Sequence, residues 1–233
     1  MKKLFSILFF ILLSKANSQE LFILNEPAST IPKGVLGIRQ FNESFKEVNI
    51  YRNMFCLRLM YGLLPKLTVM VTAGANNHHG SIFPDNLVSH THNGNQTTYS
   101  TGNYQRGLQY PYQIGGVYFF AKYRFFTRDG QNSHLRMALY AEASNTKVAH
   151  DEAEPNLLDD TKGIGGGLII TALKNKFAVS LTSGVIVPGA YSGFANDPLS
   201  NDLIPTKINY GNAVKYNLSF GYLVLPRRYN DYK

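Results

Sequence analysis

Tryptophan is absent from this 233-residue chain, cysteine occurs once, and charged residues make up only 16% of it. A lone Cys56 excludes an internal disulfide framework. Outside the N-terminus no apolar run approaches the about 20 residues that a membrane-spanning helix needs. Acids are the scarcer charge, 15 Asp and Glu against 23 Lys and Arg. That surplus of bases is too modest for nucleic acid, and no basic stretch is interleaved with stacking aromatics. What the chain does have is 15 Tyr and 15 Phe, set in segments of about ten residues in which apolar positions alternate with small or polar ones.

Residues 1–18 have the pattern of a secretory signal. Lys2 and Lys3 form a charged start, residues 4–13 are apolar apart from Ser6, and Ala16-Asn17-Ser18 supplies the small-residue cleavage pattern, with Gln19 as the expected first mature residue. No cysteine follows to carry a lipid anchor at this site. Cleavage would remove Lys2, Lys3 and Lys15 and no acid, lowering the formal net charge from +8 to +5. For an exported chain built of alternating ten-residue segments, the membrane option is a closed β-barrel, because in hydrocarbon every backbone polar group needs a partner.

Residues 163–187 state the alternation most cleanly. Ile164, Gly166, Leu168, Ile170 and Ala172 share one face, and after a polar corner at 173–176 the pattern resumes with Phe177, Val179, Leu181, Val185 and Val187. Two such arms about a tight corner read as an antiparallel hairpin. Further strands are expected at 33–41, 50–61, 67–75, 113–127, 134–145 and 210–225. The predicted fold is all-β, an antiparallel transmembrane β-barrel of about eight up-and-down strands over residues 33–225, after a loosely ordered periplasmic lead-in at 19–32 and before a basic tail at 226–233. The predicted connections alternate too. Those at 62–66, 128–133 and 173–176 are short, and those at 42–49, 76–112, 146–162 and 188–209 are longer and polar, as for periplasmic turns facing extracellular loops. Tyr61, Tyr123, Phe125, Phe177 and Tyr222 fall at the short-turn ends, where an interfacial girdle belongs. An even count predicts that the first strand pairs with the last. A gap there would make these strands part of a larger, incomplete barrel.

The faces opposite the apolar ones collect charge: Arg39, Arg52, Arg58, Lys122, Arg124, Arg136 and Lys215, with Glu142 as the one acid placed among them. Two accounts are open. A barrel of about eight strands can be filled by its own side chains, giving a lumen packed by a charged network, or the same cations can line a pore that favours anions. His78, His79, His90 and His92 cluster in the longest loop and are the metal candidates, but they lack an established ligand spacing, so neither metal nor cofactor is expected. Asp151, Glu152, Glu154, Asp159 and Asp160 lack the spacing of a calcium loop. Gly163, Gly165, Gly166 and Gly167 are not followed by the Lys-Ser/Thr of a phosphate loop and suit tightly curved strands. His134 and Ser144 are ten residues apart on one strand, about 33 Å of extended chain, too far for a hydrolytic pair within it. No catalytic residues are assigned. A lipid hydrolase, with His150 near Ser144, ranks behind a non-enzymatic barrel.

Glu26-Pro27-Ala28-Ser29, followed by Pro32-Lys33-Gly34 and Gly37-Ile38-Arg39, resembles outer-membrane barrels of the meta-pathway phenol-degradation group and related outer-membrane transporters. Tyr61-Gly62-Leu63 with Leu67-Thr68-Val69, and Ala121-Lys122-Tyr123-Arg124, add to the likeness. The resemblance implies an outer-membrane barrel that passes small, hydrophobic or aromatic solutes. Its partners would be outer-membrane lipid, those solutes and the barrel-assembly machinery. The alternative is a structural or adhesion-type barrel with a packed lumen.

Overall fold

The computed structural model describes residues 25–47, 50–77, 112–146, 162–196 and 203–222. Every regular element among them is a strand: β1 (Leu36–Glu47), β2 (Ile50–Leu64), β3 (Leu67–Asn76), β4 (Gln113–Asp129), β5 (Ser133–Thr146), β6 (Gly163–Lys174), β7 (Phe177–Pro188), β8 (Tyr191–Asn196), β9 (Leu203–Ile208) and β10 (Ala213–Tyr222). Eight of them form one antiparallel sheet in the order β1-β2-β3-β4-β5-β6-β7-β10, an up-and-down meander curled into a half-barrel. Among the described residues, β8 and β9 pair only with each other. This hairpin occupies most of the stretch expected as a long loop at 188–209. β1 likewise runs past the loop expected at 42–49, staying in register with β2 to the pair Glu47↔Ile50, and Ser44 Oγ donates to Asn53 Oδ1 across that extension at 2.7 Å.

Period-two sequence makes a two-faced sheet, and burial follows it. On β4, Tyr118, Phe120 and Lys122 are buried while Phe119, Tyr123 and Phe125 are exposed; on β7, Ala178, Ser180, Thr182 and Ile186 are buried while Phe177, Leu181, Val185 and Val187 are exposed. The inner face holds the core cluster of Met70, Tyr118, Phe120, Ala138, Tyr140, Ile169 and Ile186, which Ala28 joins from outside the sheet. The outer face is a continuous apolar band.

The expected closure is overturned. β1 and β10 are the two ends of the sheet, and among the described residues neither pairs with the other. An eight-strand barrel has an interior just wide enough for its own side chains, and here the concave face also holds a stretch of main chain, Asn25 to Pro32. The open edges are consistent with the other expected outcome, an incomplete barrel.

Candidate functional site

That main-chain stretch is the centre of the site. Instead of the loose lead-in expected at 19–32, the described part from Asn25 onward is a strap held along the concave face. The Ala28 N–H donates to Thr171 Oγ1 and the Ile31 N–H to Thr68 Oγ1, both at 2.9 Å. Lys122 Nζ donates to the Pro27 carbonyl at 2.6 Å, Arg136 Nη1 to Ser29 Oγ at 2.9 Å, and Thr182 Oγ1 to Asn25 Oδ1 at 3.0 Å. Inward threonines on β3 and β6 thus do for the strap what a neighbouring strand would do, satisfying its backbone N–H groups, while Thr182 on β7 holds the Asn25 side chain. Gly62 lets it leave. A Cβ there would collide with the carbonyl oxygens of Pro32 and Ile31.

Charge is organised around one strap residue. Arg39 and Arg58 are directly opposed on β1 and β2, an arrangement that repels when nothing lies between. Glu26 lies between them. Its Oε1 accepts from Arg58 Nη1 at 3.0 Å and from Arg39 Nη1 at 3.3 Å, and its Oε2 is 3.5 Å from Lys122 Nζ. Arg58 also donates to Thr72 Oγ1 at 2.9 Å and lies over the Phe41 ring. Lys122 is only 2% exposed, and buried cations need such acceptors.

A second cluster spans the other half of the sheet. Glu142 accepts from Tyr118 Oη at 2.6 Å and from Lys215 Nζ at 2.8 and 3.0 Å. Lys215 Nζ also lies 5.5 Å above the centre of the Tyr140 ring, which stacks on Phe120 at 5.3 Å. The pairings Lys215↔Gly184, Gly184↔Gly167 and Gly167↔Tyr140 form one row across four strands. Two of its four positions have no side chain, so long side chains lie flat across it. A Cβ at Gly184 would collide with Tyr140 Oη, and one at Gly165 would meet Glu142. Lateral space over the inner face accounts for these glycines, beyond the curvature expected of them.

The remaining cations sit apart. Arg52 is buried and donates to the Asn77 carbonyl at 3.1 Å. Arg124 Nη2 lies 3.4 Å from the Pro65 carbonyl, near the β2–β3 turn. Arg136 also reaches Asp129, whose Oδ1 is 2.7 Å from His134 Nδ1. His78, His79, His90 and His92 lie outside the described residues, as do His150 and the acidic loop. Glu26 was not placed among the lumen charges from sequence; the only signal for it was its place at the head of the Glu26-Pro27-Ala28-Ser29 likeness.

Between the clusters lies a cavity of about 440 Å³, lined by Asn25, Glu26 and Arg58 on one side and by Tyr118, Tyr140, Glu142 and Lys215 on the other. Tyr140 and Asn25 are among the lining residues, and their Oη and Nδ2 atoms are buried with no hydrogen-bond partner among the described residues. Both inward Asn217 and outward Val214 and Tyr216 contribute to its lining, so the cavity reaches the free edge of β10. The arrangement offers cations, hydrogen-bonding side chains and an aromatic wall in one space that opens toward the edge of β10, suited to holding a small polar solute. No family model, curated protein or solved structure matches this chain.

Proposed function

We propose that this chain is a non-enzymatic outer-membrane β-barrel protein that provides a passive route for small solutes. One observation carries the reading: the sheet is apolar and exposed on its outside and polar, charged and cavity-bearing on its inside, from β1 to β10. A water-soluble sheet curled this way would put its apolar face inward, whereas a lipid-facing one inverts that order. The secretory pattern at the N-terminus and the long connections after β3 and β5, set against the short turns after β2, β4 and β6, support the same location. The resemblance to the phenol-degradation group extends the proposal to hydrophobic or aromatic solutes.

Purified protein in planar bilayers should show discrete conductance, and liposomes carrying it should swell in a panel of neutral, anionic and aromatic solutes. A protein that neither conducts nor admits any of these solutes would be the alternative, a structural or adhesion-type barrel. The strap is the specific observation favouring that alternative, since it already occupies the concave face.

A further inference from the structure

The Glu26 carboxylate is held by three cations from three different strands, Arg39 on β1, Arg58 on β2 and Lys122 on β4. Arg39 and Arg58 are opposed across the two strands, and Glu26 Oε1 accepts from both. The acceptor is supplied by the strap and not by the sheet, so the sheet alone presents a preformed set of donors whose partner arrives on a separate segment. Beside that carboxylate runs the cavity, which Glu26 and Arg58 both line together with Asn25, Tyr118, Tyr140 and Lys215. A carboxylate approaching through the cavity therefore passes polar side chains and reaches Glu26 and Arg58 in its lining.

We propose that Arg39, Arg58 and Lys122 form a binding site for small carboxylates, that Glu26 fills it in cis, and that a solute carboxylate binds by exchanging with Glu26. The strap is then a built-in competing ligand. Access of solutes to the site from outside rests on the conduit reading; the site itself rests on the geometry above.

The test uses the full mature chain in detergent, with Glu26→Ala removing the internal ligand. Thermal unfolding is followed against sodium acetate, with sodium chloride at equal ionic strength as the reference. Acetate should raise the Tm of Glu26→Ala saturably, by about 4 °C at ten times its dissociation constant, and should move the wild type much less. Glu26→Ala/Lys122→Met should lose the acetate dependence. If Glu26→Ala folds in neither salt, Glu26→Gln, which keeps the side-chain shape and removes the charge, is titrated in the same way and should show the same preference for acetate. An acetate response no larger than that of the wild type, or no larger than that to chloride, in whichever variant folds, overturns the site. The unfolding readout needs no flux, so a protein that fails to conduct would lose the conduit and keep the carboxylate site.

Discussion

Lys215 sits on the last strand of the sheet, yet its ammonium lies 2.8 Å from Glu142 on β5, with β6 and β7 between. The reach is possible because Gly184 and Gly167 occupy the intervening inward positions. The Glu142 side chain is 1% exposed and that of Lys215 26%, so removing the cation leaves a buried carboxylate with, among the described residues, only the Tyr118 hydroxyl donating to it. Lys215→Met should therefore cost about 3 kcal/mol, the low end for breaking a buried pair because Lys215 keeps contact with water. Lys215→Met/Glu142→Gln should recover most of that loss, since a neutral amide needs no counter-ion. Urea unfolding of both variants in detergent checks the pair; equal losses would mean that Glu142 does not depend on Lys215. Such contacts were only half legible. Alternation assigns Arg58, Lys122 and Glu142 to one side of their strands, because side chains two apart share a face. It says nothing of which charges meet. Glu26 precedes Arg58 by 32 residues and lies outside any periodic segment, so no pattern brings it to the cations.

The strands that were easiest to read are those with both an apolar face and a tight corner, β6 and β7 above all, and their observed bounds lie within two residues of the expected ones. The corner itself shows why: Asn175 takes a positive φ of 53°, a conformation Asn tolerates better than most residues. Elements without an apolar face were missed. The far part of β1, Asn42 to Lys46, is exposed, and polar apart from Phe45, and pairs with β2 through its backbone. The strap has no period at all. Its stability comes from hydrogen bonds to inward Thr, Lys and Arg side chains, and from a close pass over Gly62. Gly62→Val should disturb it selectively, because the new side chain collides with the Pro32 and Ile31 carbonyls while β2 tolerates valine well. Amide exchange reads the effect directly. The Ala28 and Ile31 N–H groups, protected by Thr171 and Thr68 in the wild type, should exchange at least about tenfold faster in the variant, with amides in the middle of β5 and β6 unchanged. Uniform acceleration across the sheet would mean that the strap and the barrel wall unfold as one unit.

The half-barrel as a whole has two faces and two edges, and they were legible to different degrees. The faces follow from period two, whereas the edges depend on the radius of the curl, which no local pattern reports. An even strand count favoured closure; the sheet instead has two open edges, with the strap along its concave face. In hydrocarbon the edge strands still need hydrogen-bonding partners. Their outward side chains are also largely exposed, with Ile38 at 66% and Tyr216 at 73%. The lipid reading of that outer face can be tested on adjacent residues of one strand. Leu218 points outward from the middle of β10 and is 57% exposed, while Asn217 points inward and lines the cavity. An arginine on the lipid face near the bilayer midplane costs about 2–4 kcal/mol, and one facing a polar interior does not. Leu218→Arg should thus lower the yield of assembled protein in outer-membrane fractions severalfold, with Asn217→Arg close to wild type. Refolding into lipid vesicles should give the same order. Equal tolerance of the two arginines, in vesicles as well as in cells, would mean that the outer face of β10 does not meet lipid, and the membrane location proposed for this sheet would fall with it.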